Sequence, residues 1–406
     1  MNRPTEAALR AALLSSALLA SALSPGFAAA QDAKAAGPGD LHIVYLSREN
    51  DAAYQPVRAE NGVTVPTLPD PSPGAELALR DTRATARAVD VTVELDRRAL
   101  PEGASIADAA AEIAKSGAVA VIADVPKDDL VALARAVPKT LAVFDVRQRD
   151  DDLRAGFCDA PLFHLLPSDG MATDALAQFV VQKNWRRAFV LYGPLPADKA
   201  LADDFAASAK KFGAKVVASK QFAVGNDPRR RDEIDVSLMT SSDDYDVVFL
   251  ADTAGDFGRF VPWQLSRPRP VIGTEGLQAA AWDPLAERFG APQVNHRFTR
   301  LAKRDMNSGD WATWAAVRAV VEAAIRYGAR DAASVEHSLA EDQTPMDVSK
   351  GIEGSFRPWD RQFRQAVMLR SSDAVIAYAP FEPFLHRRTP LDTLGVDLEE
   401  SPCRPK

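Results

Sequence analysis

The 406-residue sequence has only two cysteines and five histidines, 7% aromatic residues, and just one long apolar run, near its start. Each scarcity excludes something. Cys158 and Cys403 have neither a CxxC partner nor a nearby histidine, so a zinc site is not expected. His42, His164, His296, His337 and His386 are scattered without ligand spacing and read as structural or surface side chains. There is no GxGxxG after the first strand and no GxxxxGK[ST], so the two common phosphate grips are missing. HExxH, GxSxG and calcium-loop patterns are also absent, and Asp150-Asp151-Asp152 lacks the spaced oxygens and glycine of a calcium loop, so it reads as solvated. Nothing here calls for an enzyme, and no metal or catalytic cofactor is expected.

The single apolar run, AALLSSALLASAL, follows Arg3 and Arg10 and ends at Ser24-Pro25-Gly26, ahead of Ala28-Ala29-Ala30. It is too short to span a bilayer and has the layout of a signal peptide, residues 1–30, cleaved near Ala30 to leave a periplasmic protein. Removing its two arginines and one glutamate takes the formal charge from −8 to about −9. An acidic surface argues against nucleic acid, whose binding rests on Lys and Arg. In an exported chain two cysteines suggest a Cys158–Cys403 disulfide, with two buried thiols as the alternative.

What remains is an alternation of strand and helix. LHIVYLS, DVTVELD, AVAVIAD and TLAVFDV read as strands; GAELALRDTRATARA, ASIADAAAEIAKSG and KDDLVALARAVP read as the helices between them. The pattern breaks at RQRDDDLRAGFCDAPLFHLLPSDG and resumes with ATDALAQFVVQKN, RAFVLYG, a helix capped by Asp198 and stopped by Gly213, KVVASKQF, DVVFLAD and PVIGT. WATWAAVRAVVEAAIRYG is a further helix, with Trp314 on its apolar face, and QAVMLRS and AVIAYAP are two closing strands. The expected architecture is α/β: two doubly wound, three-layer lobes joined by a hinge. Residues 40–148 and 272–348 are assigned to lobe 1, 162–271 and 352–380 to lobe 2, and 381–406 to a C-terminal tail.

Open α/β sheets bind ligands at the carboxyl ends of their strands. In the first half those ends carry Ser47, Arg48, Arg97, Asp124, Lys127 and Arg147, with Tyr45 just upstream on the first strand. In the second half they carry Tyr192, Gly193, Asp252, Thr253, Thr274 and Glu275, with Trp263 and Trp282 in nearby segments. Gly193 is expected to allow close backbone approach, and a hinge would close the two halves over a small solute.

The segments PSDGMATDALAQFVVQKNWRRAFVLYG and DWATWAAVRAVVEAAIRYG, with the element order, resemble type I periplasmic solute-binding proteins of the leucine/isoleucine/valine class. RPRPVIGTEGLQAAAW, SFRPWDRQFRQAVML and FLHRRTPLDTLGVDLEESPC resemble a narrower branch, associated with the pyrroloquinoline quinone-dependent alcohol dehydrogenase system. The resemblance implies a monomeric ABC-type solute binder that works with a permease or a periplasmic quinoprotein dehydrogenase. It makes pyrroloquinoline quinone, a flat tricarboxylate, the expected ligand; an alcohol-derived or amino acid solute, or an accessory or sensor role, is the alternative. Arg48, Arg97, Lys127 and Arg147 would then meet carboxylates, and Tyr45, Tyr192, Trp263 and Trp282 would stack on the ring system. Lys127 is in addition a candidate to condense with a quinone carbonyl. Where the wider class has a Gly/Ser-rich loop after the third strand, this chain has ADVPKDD.

Overall fold

The computed structural model describes residues 40–58, 64–65, 67–225, 227–241, 244–341 and 344–403. The signal-peptide assignment lies outside them. The chain runs through β1 (Asp40–Arg48), a short ribbon of β2 (Val57–Arg58) and β3 (Thr64–Val65), α1 (Ser72–Arg87), β4 (Thr92–Leu100) and α2 (Ile106–Lys115). It continues with β5 (Ala120–Asp124), α3 (Lys127–Ala136), β6 (Ala142–Asp145), α4 (Asp151–Gly156) and β7 (Leu162–His164). These strands form a parallel sheet in the order β4-β1-β5-β6-β7.

A second run gives α5 (Asp169–Gln182), β8 (Arg187–Tyr192), α6 (Pro196–Phe212), β9 (Lys215–Gln221), the short helices α7 (Arg231–Ile234) and α8 (Val236–Met239), and β10 (Val247–Ala251). After α9 (Val261–Gln264) comes β11 (Val271–Gly273), completing a second parallel sheet in the order β11-β10-β8-β9. The same topology is thus built twice. The first sheet extends through His164, within the 148–168 stretch where the sequence pattern breaks, and the second through Gly273, two residues past the 271 expected.

Period-two alternation explains both cores. On the first sheet Ile43, Tyr45, Ile122 and Phe144 face α1 and the later helices, while Val44, Leu46, Val121 and Val143 face α2 and α3. On the second, Val190 and Phe249 face α5 and α6, with Phe205 stacked on Phe249 at 3.9 Å, and Phe189, Leu191 and Val248 face the short helices. β5 and β10 are buried along their whole length, as strands covered on both faces must be.

After β12 (Gln278–Ala280) the chain returns to the first sheet as α10 (Ala291–Ala302), α11 (Ser308–Tyr327) and α12 (Ala332–Ala340). An Asn307/Asp310 capping box starts α11 and Gly328, at φ 67°, ends it. β13 (Val367–Arg370) and β14 (Val375–Ala379) then join β12 in an antiparallel sheet. β13 ties the halves together: Met368 packs into the first core, and Val367 and Leu369 into the second.

From Phe381 onward the tail is held at several points. The Phe381 ring lies tilted against that of Phe179 at 6.0 Å, and the Gly395 N–H donates to Asp174 at 2.8 Å. Buried Asp392 accepts from Arg357 at 2.9 Å and from Arg364 at 2.7 Å. The tail ends in a disulfide from Cys403 to Cys158, beside α4 of the first half, so it runs from the second half back to the first. The bond closes a loop of 245 residues. Replacing both cysteines by serine should cost about 2–4 kcal/mol of unfolding free energy in urea titrations. An unchanged midpoint would mean the tail stays docked without it.

Candidate functional site

In both parallel sheets the strand order reverses next to the first strand of its repeat, so the crevice at the carboxyl ends lies between β1 and β5 in one and between β8 and β10 in the other. Polar side chains collect at both places.

At the first crevice Asp124, at the end of β5 and buried, is the centre. Tyr45 donates to its Oδ2 at 2.9 Å and Tyr54 to its Oδ1 at 2.5 Å. Burial raises the Asp124 carboxyl above its ordinary value, although the two phenols and Arg147 oppose the shift. Burial, reinforced by Asp124, raises both phenols as well. Arg147 forms a two-pronged ion pair with Asp51 at 2.6 and 3.2 Å, lies 4.0 Å from Asp124, and sits over the Tyr54 ring at 5.6 Å. Asp70 completes the group, 3.5 Å from the Tyr45 hydroxyl and capping the start of α1 through the Ser72 N–H and hydroxyl.

Tyr54, Asp51 and Asp70 were missed from sequence. They lie in the irregular segment between β1 and α1, where no periodicity marks a side chain as inward.

The other candidate cations of this half have protein partners. Arg48 is bidentate to Asp129 at 2.7 and 3.0 Å and donates to the Pro101 and Ala104 carbonyls, pinning β1 to α3 and to the loop after β4. Lys127 holds Asp150 and Asp152 at 2.7 and 2.8 Å; burial works against its charge, but these acids raise its ammonium above the ordinary value. That is the reverse of what condensation with a carbonyl requires. Arg97 is not at a strand end. β4 runs on to Leu100, and Arg97 lies opposite Tyr45 in mid-strand, half exposed and 3.7 Å from Glu76, which an edge strand tolerates. Ser47 lies opposite Asp124 in the β1–β5 register.

At the second crevice buried Asp198 accepts from the Thr253 N–H and hydroxyl at 2.7 and 2.6 Å and from the Leu195 N–H at 3.0 Å. It sits inside the first turn of α6, which begins at Pro196, and not at the cap itself. Gly193 lies against this acid: a Cβ there would come 2.3 Å from the Asp198 Oδ2. Asp252 gathers the N–H groups of Gly255, Phe257 and Gly258 at 3.1, 3.0 and 2.6 Å, and its own N–H donates to the Thr274 hydroxyl. Tyr192 lies under the Lys199 ammonium at 6.0 Å. Glu275 is raised by partial burial, with Arg259 opposing the shift.

The two tryptophans do not join either crevice. Trp282 is 2% exposed, packed in the first core and donating to Asn295 at 2.7 Å. Trp263 is 87% exposed on four-residue α9. A cavity of about 690 Å³ lies near it, lined by Val224, Val236, Phe257, Phe260 and Gln264.

With this geometry in view, comparison with known proteins gives a single kind of answer. No family profile matches the sequence, and no curated protein matches it. Solved structures do. An ABC transporter substrate-binding protein from Desulfitobacterium hafniense is 16% identical over 84% of this chain and 100% of that one, with a TM-score of 0.63. A branched-chain amino acid transporter substrate-binding protein from Streptococcus pneumoniae, in complex with isoleucine, is 17% identical over 83% of this chain and 98% of its own, with a TM-score of 0.58. A solute-binding protein from R. palustris, in complex with benzoate, is 12% identical over 90% of this chain and 99% of its own, with a TM-score of 0.60. The fold is therefore that of the type I periplasmic binding proteins.

The crevice loop is anchored through Asp145, which accepts from the Arg147 and Gln148 N–H groups at 3.1 and 2.8 Å and pairs with His164 Nδ1 at 2.8 Å. Burial, with Arg154 nearby, pushes His164 down to about 4 despite Asp145. The folded value lies below the unfolded one of about 6.5, so its stabilising effect is full above pH 6.5 and is lost as pH falls toward 4. Between pH 7 and pH 4 the wild type should lose about 3 kcal/mol more stability than His164→Asn. Parallel pH profiles for the two proteins would refute this.

Proposed function

We propose that this protein captures a small solute in the periplasm for an ABC-type permease, holding it between the carboxyl edges of its two parallel sheets. The observation that carries the reading is the repeated switch point: two sheets of one topology, each ending in buried acids, hydroxyls and tyrosines at its crevice. The role is one of binding without turnover. The acids are engaged with phenol, hydroxyl and backbone donors, an arrangement that fixes the shape of a cleft.

The narrower proposal is that the solute is pyrroloquinoline quinone and that the protein serves quinoprotein alcohol oxidation. Its support is the resemblance of the three segments described above, together with Arg147 above the Tyr54 ring, a guanidinium and an aromatic face side by side. A carboxylate arriving there must compete with Asp51 for Arg147. A second reading, an amino acid or alcohol-derived solute, is favoured by the charge of the same crevice, where Asp51, Asp70 and Asp124 outnumber Arg147. Similar folds holding isoleucine and benzoate fit that reading as well. The tail, pinned through Asp392, Gly395 and Cys403, fits a strap between the halves better than a docking arm for a dehydrogenase.

Titration of the mature protein with pyrroloquinoline quinone, followed by tryptophan fluorescence, tests this against leucine and a simple tricarboxylate. The quinone should saturate at one equivalent, and Arg147→Ala should weaken it about tenfold or more while Arg147→Lys retains part of the affinity. Saturation by leucine alone would move the ligand to the amino acid class. No saturation by any solute in a thermally stable protein would overturn the capture role.

A further inference from the structure

A second cavity, of about 720 Å³, lies away from both crevices, where β14, the segment before α10, the return from α12 and the tail meet. Five of its lining side chains are large, apolar and substantially exposed: Ile376 at 52%, Phe289 at 49%, Leu385 at 43%, Leu285 at 41% and Ile352 at 39%. Exposing that much apolar surface in one place is unfavourable for a soluble chain unless something covers it. Phe289 is also held at φ 59°, a left-handed conformation that is rare for a bulky residue. Its ring meets Tyr378 edge-on at 5.4 Å and lies against Gly351, where a Cβ would come within 2.7 Å of it.

The volume is that of a small-molecule site, and the composition, an apolar wall with an aromatic pair and a few polar groups, is the usual one for such sites. The charged groups of the lining are Glu287, Arg288 and Asp373, of both signs, and Lys350, whose amine is already bonded to Gln365 at 2.5 Å. Neither a strong anion nor a strong cation would gain from this balance. A second copy of the chain would bring another concave surface to a concave one.

We propose that this cavity binds a neutral, ring-bearing apolar molecule, stacked against Phe289 and Tyr378 and covering Ile376 and Leu385. The site is separate from the crevices and does not rest on the identity of the solute taken there. Because the segment before α10, the return from α12 and the tail all contribute to its wall, an occupant would also brace them against one another.

The probe is N-phenyl-1-naphthylamine, a neutral fluorophore with three aromatic rings, titrated into the mature disulfide-bonded protein. One saturable site is expected, with affinity reduced about tenfold or more by Ile376→Asp and by Phe289→Ala, since each removes apolar contact and the first places a charge in the wall. Leu238→Ser, at an exposed leucine elsewhere, should leave it unchanged, and circular dichroism would confirm that each variant is folded. Absence of saturable binding, or binding unaffected by both cavity variants, would overturn the proposal. Loss of binding with Leu238→Ser would overturn it too, as a sign of unspecific adsorption.

Discussion

The carboxylate of Asp145 is the point on which the rest of this structure turns. It is fully buried at the end of β6 and accepts from three donors: the backbone of Arg147 and Gln148, and His164 of β7. The first two contacts set the path of the loop carrying Arg147 into the crevice. The third reaches the crossing between the halves, because the backbone of His164 exchanges hydrogen bonds with Arg361 and Phe363. Gln362 extends the junction, donating to the Leu166 carbonyl and accepting from buried Arg154. A charge placed this deep is tolerated only with its acceptors filled, so the geometry of the candidate site and that of the hinge are held by one group.

Charge compensation within the chain is the second theme. Arg357 and Arg364 share Asp392, Arg48 takes Asp129, Arg147 takes Asp51, and Lys127 takes two acids. An acidic protein with many arginines near its strand ends therefore presents few unengaged cations there. Any anionic ligand must exchange one ion pair for another, and the gain comes from geometry and not from net charge.

Much of the fold was legible in the sequence. β1, β5, β6, β8 and β10 are strongly apolar runs, α2, α6 and α11 carry both period and caps, and α5 is capped by Ser168 and buried on every side, so local signals agreed with tertiary need. β7 and β12 were not legible, because three residues give no period. α10 was missed as well, although Ala291, Val294 and Phe298 keep a helical period; Gly290 and Pro292 at its start read as a turn. At the first crevice Tyr45 lies in mid-strand, opposite Arg97, whereas the position of Asp124 and Arg147 at or just past a strand end was readable. The roles of Gly193, Arg97 and Trp282 were not, since these depend on how far a strand runs and on which side chain approaches from elsewhere.

The alternation of elements and the doubling of one topology follow from local signals, because apolar period and capping act within a few residues. The sequence also placed polar groups at the strand ends. Only the tertiary structure decided which of those groups remain open to a ligand. The partners that neutralise Arg48 and Arg147 lie 81 and 96 residues away along the chain. No local pattern encodes an ion pair formed by the packing of one loop over another.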